Sequence, residues 1–218
     1  MGWFWQFVNS SIGKKISMAL TGILLIIFLI FHLIGNLTLY WGETAFMNYA
    51  GTLESFKPVV RVIEVILAAI FIIHIVNAVR LWIGNKVAKQ KEYAVNAKSK
   101  NSDLFARTMI WSGSIVFIFL VIHLQTFWYP NNFGGSALPL YNIVSGDFSS
   151  PVYSFFYVLA MILLGFHLNH GFQSAFQTFG WNHKKYFQFV KTVGTIYSII
   201  MALGFASLPI YFLFFHGR

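Results

Sequence analysis

The first long apolar stretch of the chain, residues 16–40, reads ISMALTGILLIIFLIFHLIGNLTLY. It carries no Asp, Glu, Lys or Arg, and about 20 consecutive apolar residues suffice for an α-helix to cross the hydrocarbon core of a bilayer. Lys14 and Lys15 precede it, as basic residues precede the apolar part of a signal peptide. The stretch is too long for such a peptide and has no small-residue cleavage site, so we predict a membrane span.

Composition extends this prediction to the whole chain. Of the 218 residues, 57% are hydrophobic and only 10% are charged, which is typical of a membrane protein and excludes a soluble domain. We predict a single all-α transmembrane domain over residues 1–218, in which four helices form a core and a fifth helix is added to it. The expected spans are 15–40, 58–84, 104–129, 151–179 and 188–215.

The connections are predicted from their residue types. Residues 41–57 are expected to form a short interfacial helix, because they include Trp41, Phe46, Met47 and Tyr49. Residues 130–150, rich in Pro, Asn and Gly, are expected to form an irregular loop outside the cell. Lysines concentrate before the first span and in the connections 85–103 and 180–187. The positive-inside rule therefore puts the N-terminus in the cytoplasm and the C-terminus outside.

Charge and cysteine content narrow the function classes. The net charge is +9, but the basic residues flank the spans and so indicate topology and contact with anionic lipid rather than with nucleic acid. The chain has no cysteine. It therefore holds no thiolate-bound iron–sulfur cluster, thiolate zinc site or covalently attached c-type haem.

Four histidines lie within four separate apolar stretches. His32 and His74 are 42 residues apart, and His123 and His167 are 44 apart. An ionisable side chain in the hydrocarbon layer is costly and is therefore usually functional. At ~1.5 Å of rise per residue, His32 and His123 fall in the outer half of the membrane and His74 and His167 in the inner half. We predict that each pair holds the iron of one haem b, with the two haems stacked across the membrane.

Two glycines agree with this prediction. Gly22 lies ten residues before His32, and Gly113 lies ten before His123, which puts both near the expected level of the inner haem. A missing side chain lets a macrocycle approach the backbone, although glycines also mediate close packing of membrane helices. His170 could reach the same face as His167, and the depth match with His74 favours His167.

The segments around the four histidines together resemble one protein family. They read FLIFHLIGNL around His32, IFIIHIVNAVRLW around His74, IFLVIHLQTFW around His123 and FHLNHGFQSAFQTFG from residue 166 to Gly180. In their order, and over nearly the whole chain, they are similar to the di-haem cytochrome b subunit, of the b558 type, of bacterial succinate dehydrogenases and fumarate reductases.

The resemblance implies a ligand set and a set of partners. It makes His32 and His123 the ligands of the distal, outer haem and His74 and His167 those of the proximal, inner haem. It implies a cytoplasmic flavoprotein with FAD and an iron–sulfur subunit as partners, and electron transfer between succinate or fumarate and a quinone, expected to be menaquinone. The chain would then be the quinone-reactive anchor of a tricarboxylic acid cycle complex in the bacterial cytoplasmic membrane, compatible with a higher oligomer of that complex.

Two further positions follow from the resemblance. LESFKP, residues 53–58, resembles a segment where some members place an acidic residue at an outer quinone site. Glu54 is therefore the candidate for quinone-linked proton exchange, with a solvated loop acid as the alternative. Some members have a glutamate two residues before the fourth ligand, where this chain has Gly165, so that particular proton route is in doubt.

Two other functions stay open at this point. A di-haem anchor of a hydrogenase or formate dehydrogenase would need the same histidines. A transporter would use them as a proton relay, and that class is built from inverted repeats and broken helices. In this chain Gly22, His32 and His74 recur in the same order as Gly113, His123 and His167. The repeat is therefore parallel and not inverted.

Overall fold

The computed structural model describes residues 2–88, 104–134 and 138–215, and every regular element in this part of the chain is helical. The helices are α1 (Trp3–Asn9), α2 (Ser11–Leu37), α3 (Glu43–Ser55), α4 (Lys57–Ala88), α5 (Leu104–His123), α6 (Tyr129–Asn132), α7 (Leu140–Phe148), α8 (Pro151–Thr178) and α9 (Lys184–Phe214). A 3₁₀ turn, Thr38–Trp41, follows α2, and a π-helical turn, Leu124–Trp128, joins α5 to α6.

The five predicted spans are confirmed as long apolar helices. The stretches long and apolar enough to cross a membrane are Ser11–Trp41, Lys57–Val87, Thr108–Asn132, Pro151–Thr178 and Lys184–Phe214. Many of their aliphatic side chains face outward, such as Val62, Ile66 and Ile72, each more than half exposed. Exposed apolar surface of this extent is costly in water and favourable in lipid. The chain is therefore compatible with a multi-pass membrane protein.

Helix ends and turns follow local chemistry. The Ser10 hydroxyl accepts a hydrogen bond from the Gly13 N–H at 2.9 Å and so caps the start of α2. Pro151 opens α8, where its missing N–H costs nothing. Gly42, before α3, and Gly180, before α9, have φ near +85° (+87° and +83°). That backbone region favours glycine, so both sharp turns depend on these residues.

The connections between the spans agree only partly with the sequence prediction. The short helix expected within 41–57 is α3. The prediction of an irregular loop over 130–150 is wrong for α7. This segment is helical because Tyr141, Val144 and Phe148 repeat at helical spacing and bury one face. Residues 135–137 lie outside the described part, as do residues 89–103, which hold most of the predicted lysine-rich connection.

The helices pack in one bundle, in which consecutive spans run antiparallel. Around it α4 contacts α2, α2 contacts α8, and α8 contacts α5, while α9 lies against both α8 and α2. The fifth span is thus part of the core rather than an addition to it, since Met201 and Phe212 of α9 are buried in its two apolar clusters. Helix α4 is the most exposed span, with no buried residue in its most apolar window.

The two ends of the bundle differ in charge. One end, the basic end, carries Lys14, Lys15, Lys86, Lys184 and Lys185. The opposite end, the acidic end, carries the four carboxylates of the described residues, Glu43, Glu54, Glu64 and Asp147. This asymmetry is the one on which the predicted orientation depends.

Candidate functional site

Two of the four histidines meet near the acidic end and form the outer pair. His32 of α2 and His123 of α5 have ring centroids 5.7 Å apart and ring planes at 87°. Phe28 stacks on His32 and Phe119 stacks on His123, one helical turn before each histidine. Phe205 of α9 lies 5.7 Å from His32. The outer pair is therefore walled by aromatic rings from three helices.

The other two histidines meet closer to the basic end and form the inner pair. His74 of α4 and His167 of α8 have ring centroids 6.4 Å apart and ring planes at 65°. A hydrogen-bond partner comes from α2, where the Thr21 hydroxyl lies 3.1 Å from His74 Nδ1.

The predicted glycines lie beside the inner pair. A Cβ added at Gly22 would be 3.6 Å from His74 Cε1, and one added at Gly113 would be 3.3 Å from His167 Cε1. Each glycine therefore leaves an imidazole in contact with the backbone of a neighbouring helix. This is the level at which the depth count put both glycines.

The spacing within the pairs suits a shared metal ion. A metal held by one nitrogen from each of two imidazoles lies about 2 Å from both, which separates the ring centres by roughly 6 Å. The two observed separations, 5.7 and 6.4 Å, are on either side of that value. Among the described residues, no group of three or more His, Cys, Asp or Glu side chains could hold a metal ion. Each pair therefore offers two imidazole donors, one from each of two helices.

One imidazole nitrogen of the inner pair lacks a partner. His167 Nδ1 is buried and has no hydrogen bond within the described part of the chain. A buried polar atom without a partner costs about 1–3 kcal/mol and requires an explanation, such as an ion or ligand. This nitrogen faces the backbone of α5, 3.6 Å from a Cβ added at Gly113, so a metal bound to the ring would be held by the other nitrogen, Nε2.

A tyrosine that the sequence analysis missed contacts the outer pair. The Tyr157 hydroxyl lies 3.2 Å from His123 Nδ1 and 3.3 Å from the hydroxyl of Tyr153. If His123 donates from Nδ1, its other nitrogen keeps a free lone pair, as a metal ligand requires. The Thr21 hydroxyl likewise lies beside His74 Nδ1, so donation from that nitrogen would leave the other nitrogen of His74 free to bind a metal. The depth count could have identified this residue, because Tyr157 lies six residues after Pro151, at the depth expected for His123.

The π-helical turn directly after His123 reorients the next aromatic residues. Phe127 packs edge-on against His123 with centroids 5.5 Å apart. Trp128 Nε1 donates to Glu64 at 3.0 Å, so the turn also ties α5 to α4. Arg61 donates to the same Glu64 at 2.8 Å. π-helical turns are rare and often occur at functional sites.

The remaining predicted positions lie outside the two pairs. Glu54 is exposed and forms an ion pair with Lys57, and its role in proton exchange stays a prediction. His170 lies half-buried three residues beyond His167. His183 is exposed and caps α9 by accepting from the Lys185 N–H. At the acidic end, partial burial raises the pKa of the Asp147 carboxyl above its usual range.

No family model, no curated protein and no solved structure matches this chain. The assignment of a function therefore depends on the two histidine pairs and their surroundings. Their geometry suits a cofactor held from both sides inside an apolar bundle.

Proposed function

We propose that this chain is a di-haem cytochrome b of the bacterial cytoplasmic membrane, serving as the membrane anchor of a succinate dehydrogenase or fumarate reductase. The observation that carries the proposal is the arrangement of the four histidines. They form two pairs at two depths, and in each pair the rings come from two different helices. A four-helix core that holds cofactors between facing side chains is a recurrent architecture.

Each histidine pair binds one of the two haems. His32 and His123 bind the outer haem, and His74 and His167 bind the inner haem. Two bound haems supply one-electron carriers at two levels of the membrane. Gly22 and Gly113 leave room beside the inner pair, and Phe28, Phe119 and Phe205 exclude water from the outer pair.

The partners follow from the resemblance and from the charge asymmetry. The basic end faces the cytoplasm, where a flavoprotein with FAD and an iron–sulfur subunit bind to it. Quinone reacts at the acidic end, beside the outer pair, and Glu54 exchanges protons with it. Gly22 and His32 are ten residues apart on α2, so the two levels are separated by roughly 15 Å. Electrons that pass between the two haems therefore cross about half of the ~30 Å hydrocarbon core.

The proposal is tested by the haem content of the purified chain. We expect about two haem b per chain by pyridine haemochrome analysis, because two bis-histidine sites are available. The reduced-minus-oxidised visible spectrum should show the bands of six-coordinate haem b. Copurification of a flavin-containing and an iron–sulfur subunit should identify the dehydrogenase.

Other outcomes would contradict specific parts of the proposal. A chain that contains no haem after expression with ample haem supply would favour the transporter with a histidine proton relay. Two haems together with a hydrogenase or formate dehydrogenase partner would support the assignment as a di-haem cytochrome b and contradict the assignment to a succinate dehydrogenase or fumarate reductase. A stoichiometry of one would show that one histidine pair does not ligate.

Tyr157→Phe is expected to raise the reduction potential of the outer haem by about 20–45 mV. The hydrogen bond from His123 Nδ1 makes the imidazole a stronger donor, which favours ferric iron, and a neutral hydrogen bond contributes about 0.5–1 kcal/mol. An equilibrium redox titration followed at the haem absorbance measures the change. The haem count should stay near two.

Tyr197→Phe is the matched control for this prediction. It removes a tyrosine hydroxyl from the same bundle, but that hydroxyl donates to the Ile26 carbonyl at 3.0 Å rather than to a histidine. Both potentials should therefore stay unchanged. Equal shifts in the two variants would mean that Tyr157 acts through packing and not through His123.

A further inference from the structure

An aromatic cleft opens at the basic end, between the last turns of α8 and the first turns of α9. Its volume is about 610 Å³, and its lining includes Phe172, Phe176, Trp181, Tyr186, Phe189 and Val193. Clefts of this size hold small ligands, and an almost wholly apolar lining selects an apolar occupant. The cleft is separate from both histidine pairs, because none of the four histidines lines it.

The shape of the cleft depends on one close helix contact. Phe172 packs against Gly194, where an added Cβ would lie 2.7 Å from the Phe172 ring. Phe172 also stacks on Tyr197, with centroids 6.1 Å apart. The ring is therefore held against α9, and Val193, about a third exposed, is left at the wall of the cleft.

The mouth of the cleft is basic. Lys184 and Lys185 form the first turn of α9, and the Lys185 Nζ lies 5.5 Å from the ring centre of Tyr186, which lines the cleft. The described carboxylates all lie at the acidic end, so within the described residues these lysines have no acidic partner there. The charge at the mouth is complementary to an anion.

The apolar cleft and the lysines at its mouth lie at different depths in the membrane. Val193 is nine residues into α9, roughly 14 Å from the start of the helix. The cleft therefore extends from the level of lipid headgroups into the upper acyl region, with the lysines at the headgroup level. An occupant must carry a negative charge at one end and an apolar chain at the other.

We infer that this cleft is a binding site for one anionic glycerophospholipid of the leaflet at the basic end. One acyl chain lies between the aromatic rings of α8 and α9, and the phosphate lies against Lys184 and Lys185. The N-terminus of α9, a helix of 31 residues, adds a favourable dipole for the phosphate. The inference goes beyond the proposed function and does not depend on haem.

The test is a competition between two lipids for the full chain. The chain, delipidated in neutral detergent, is mixed with equal amounts of phosphatidylglycerol and phosphatidylcholine, and native mass spectrometry counts the first bound lipid. We expect phosphatidylglycerol to be preferred, with each lysine contributing roughly a fivefold factor. The double variant Lys184→Gln, Lys185→Gln should lose this preference.

Two variants separate the cleft from general surface charge. Lys86→Gln is the matched control, because Lys86 also lies at the basic end and its Nζ is 5.3 Å from an aromatic ring centre, that of Trp82. It should keep the preference. Val193→Trp fills the cleft and should weaken binding of both lipids severalfold, with the haem content unchanged.

Several results would overturn the inference. Equal binding of the two lipids, or a loss in Lys86→Gln as large as in the double variant, would reduce the effect to surface charge. Unchanged binding in Val193→Trp would exclude the cleft as the site of the acyl chain. Displacement by excess inorganic phosphate, or preferential uptake of menaquinone over both lipids, would assign the cleft to a different ligand.

Discussion

His123→Ala should leave about one haem per chain, and the haem that is lost should be the outer one. Each pair supplies only one nitrogen from each side, so the removal of one ring leaves the iron with a single axial ligand. His32→Ala should lose the same haem. His74→Ala and His167→Ala should each lose the inner haem. Pyridine haemochrome analysis gives the count, and redox titration identifies the haem that remains.

His170→Ala is the matched control for His167→Ala. The two histidines lie three residues apart on α8, and both are half-buried, so the two substitutions remove the same side chain from neighbouring turns. The control should retain two haems. Loss of the inner haem in His170→Ala, with retention in His167→Ala, would reassign the ligand.

The folded state must be checked in the same variants. Loss of a haem leaves a void and an unpaired imidazole in the bundle, and both are destabilising. Helical content by circular dichroism and elution as a single species separate loss of the haem from loss of the fold. If His123→Ala fails this check, His123→Met supplies a second axial ligand type and should restore the outer haem with a changed potential.

The histidine pairs were predictable because membrane helices are long and regular. Depth in the membrane is then a linear function of residue number, and the connectivity of five spans makes consecutive helices antiparallel. The same count put Gly22 at the level of His74 and Gly113 at the level of His167, where the structure has them in contact.

Features that depend on lateral packing were not predictable in this way. The choice of neighbours around the bundle follows from side-chain shape, so the packing of α9 against both α8 and α2 and the exposed position of α4 did not follow from hydropathy. Helix α7 was missed because the Asn, Ser, Gly and Asp residues in its sequence predict turns. The helical spacing of its three buried residues was the weaker signal. Tyr157 was missed because the depth count was applied only to histidines and glycines.

Gly113→Leu is the substitution outside the ligands that should affect haem binding most. A Cβ at this position would lie 3.3 Å from His167 Cε1 and 3.6 Å from His167 Nδ1, and the branched end of leucine would extend into the space of the imidazole. Overpacking of this kind costs about 1–3 kcal/mol, which corresponds to roughly 5- to 150-fold weaker binding of the inner haem. The outer haem should stay bound.

A graded series of glycine variants makes this prediction quantitative. Gly113→Ala brings only the Cβ to 3.3 Å and should weaken the inner haem less than leucine does, while Gly22→Ala, at an ordinary contact of 3.6 Å from His74, should have the smallest effect. Gly84→Leu is the control, because no atom lies within 4 Å of a Cβ added there. The measurement is inner-haem occupancy during haem extraction with apomyoglobin. If Gly113→Leu releases the inner haem no faster than Gly84→Leu, the close approach at Gly113 is only helix packing and does not shape the inner site.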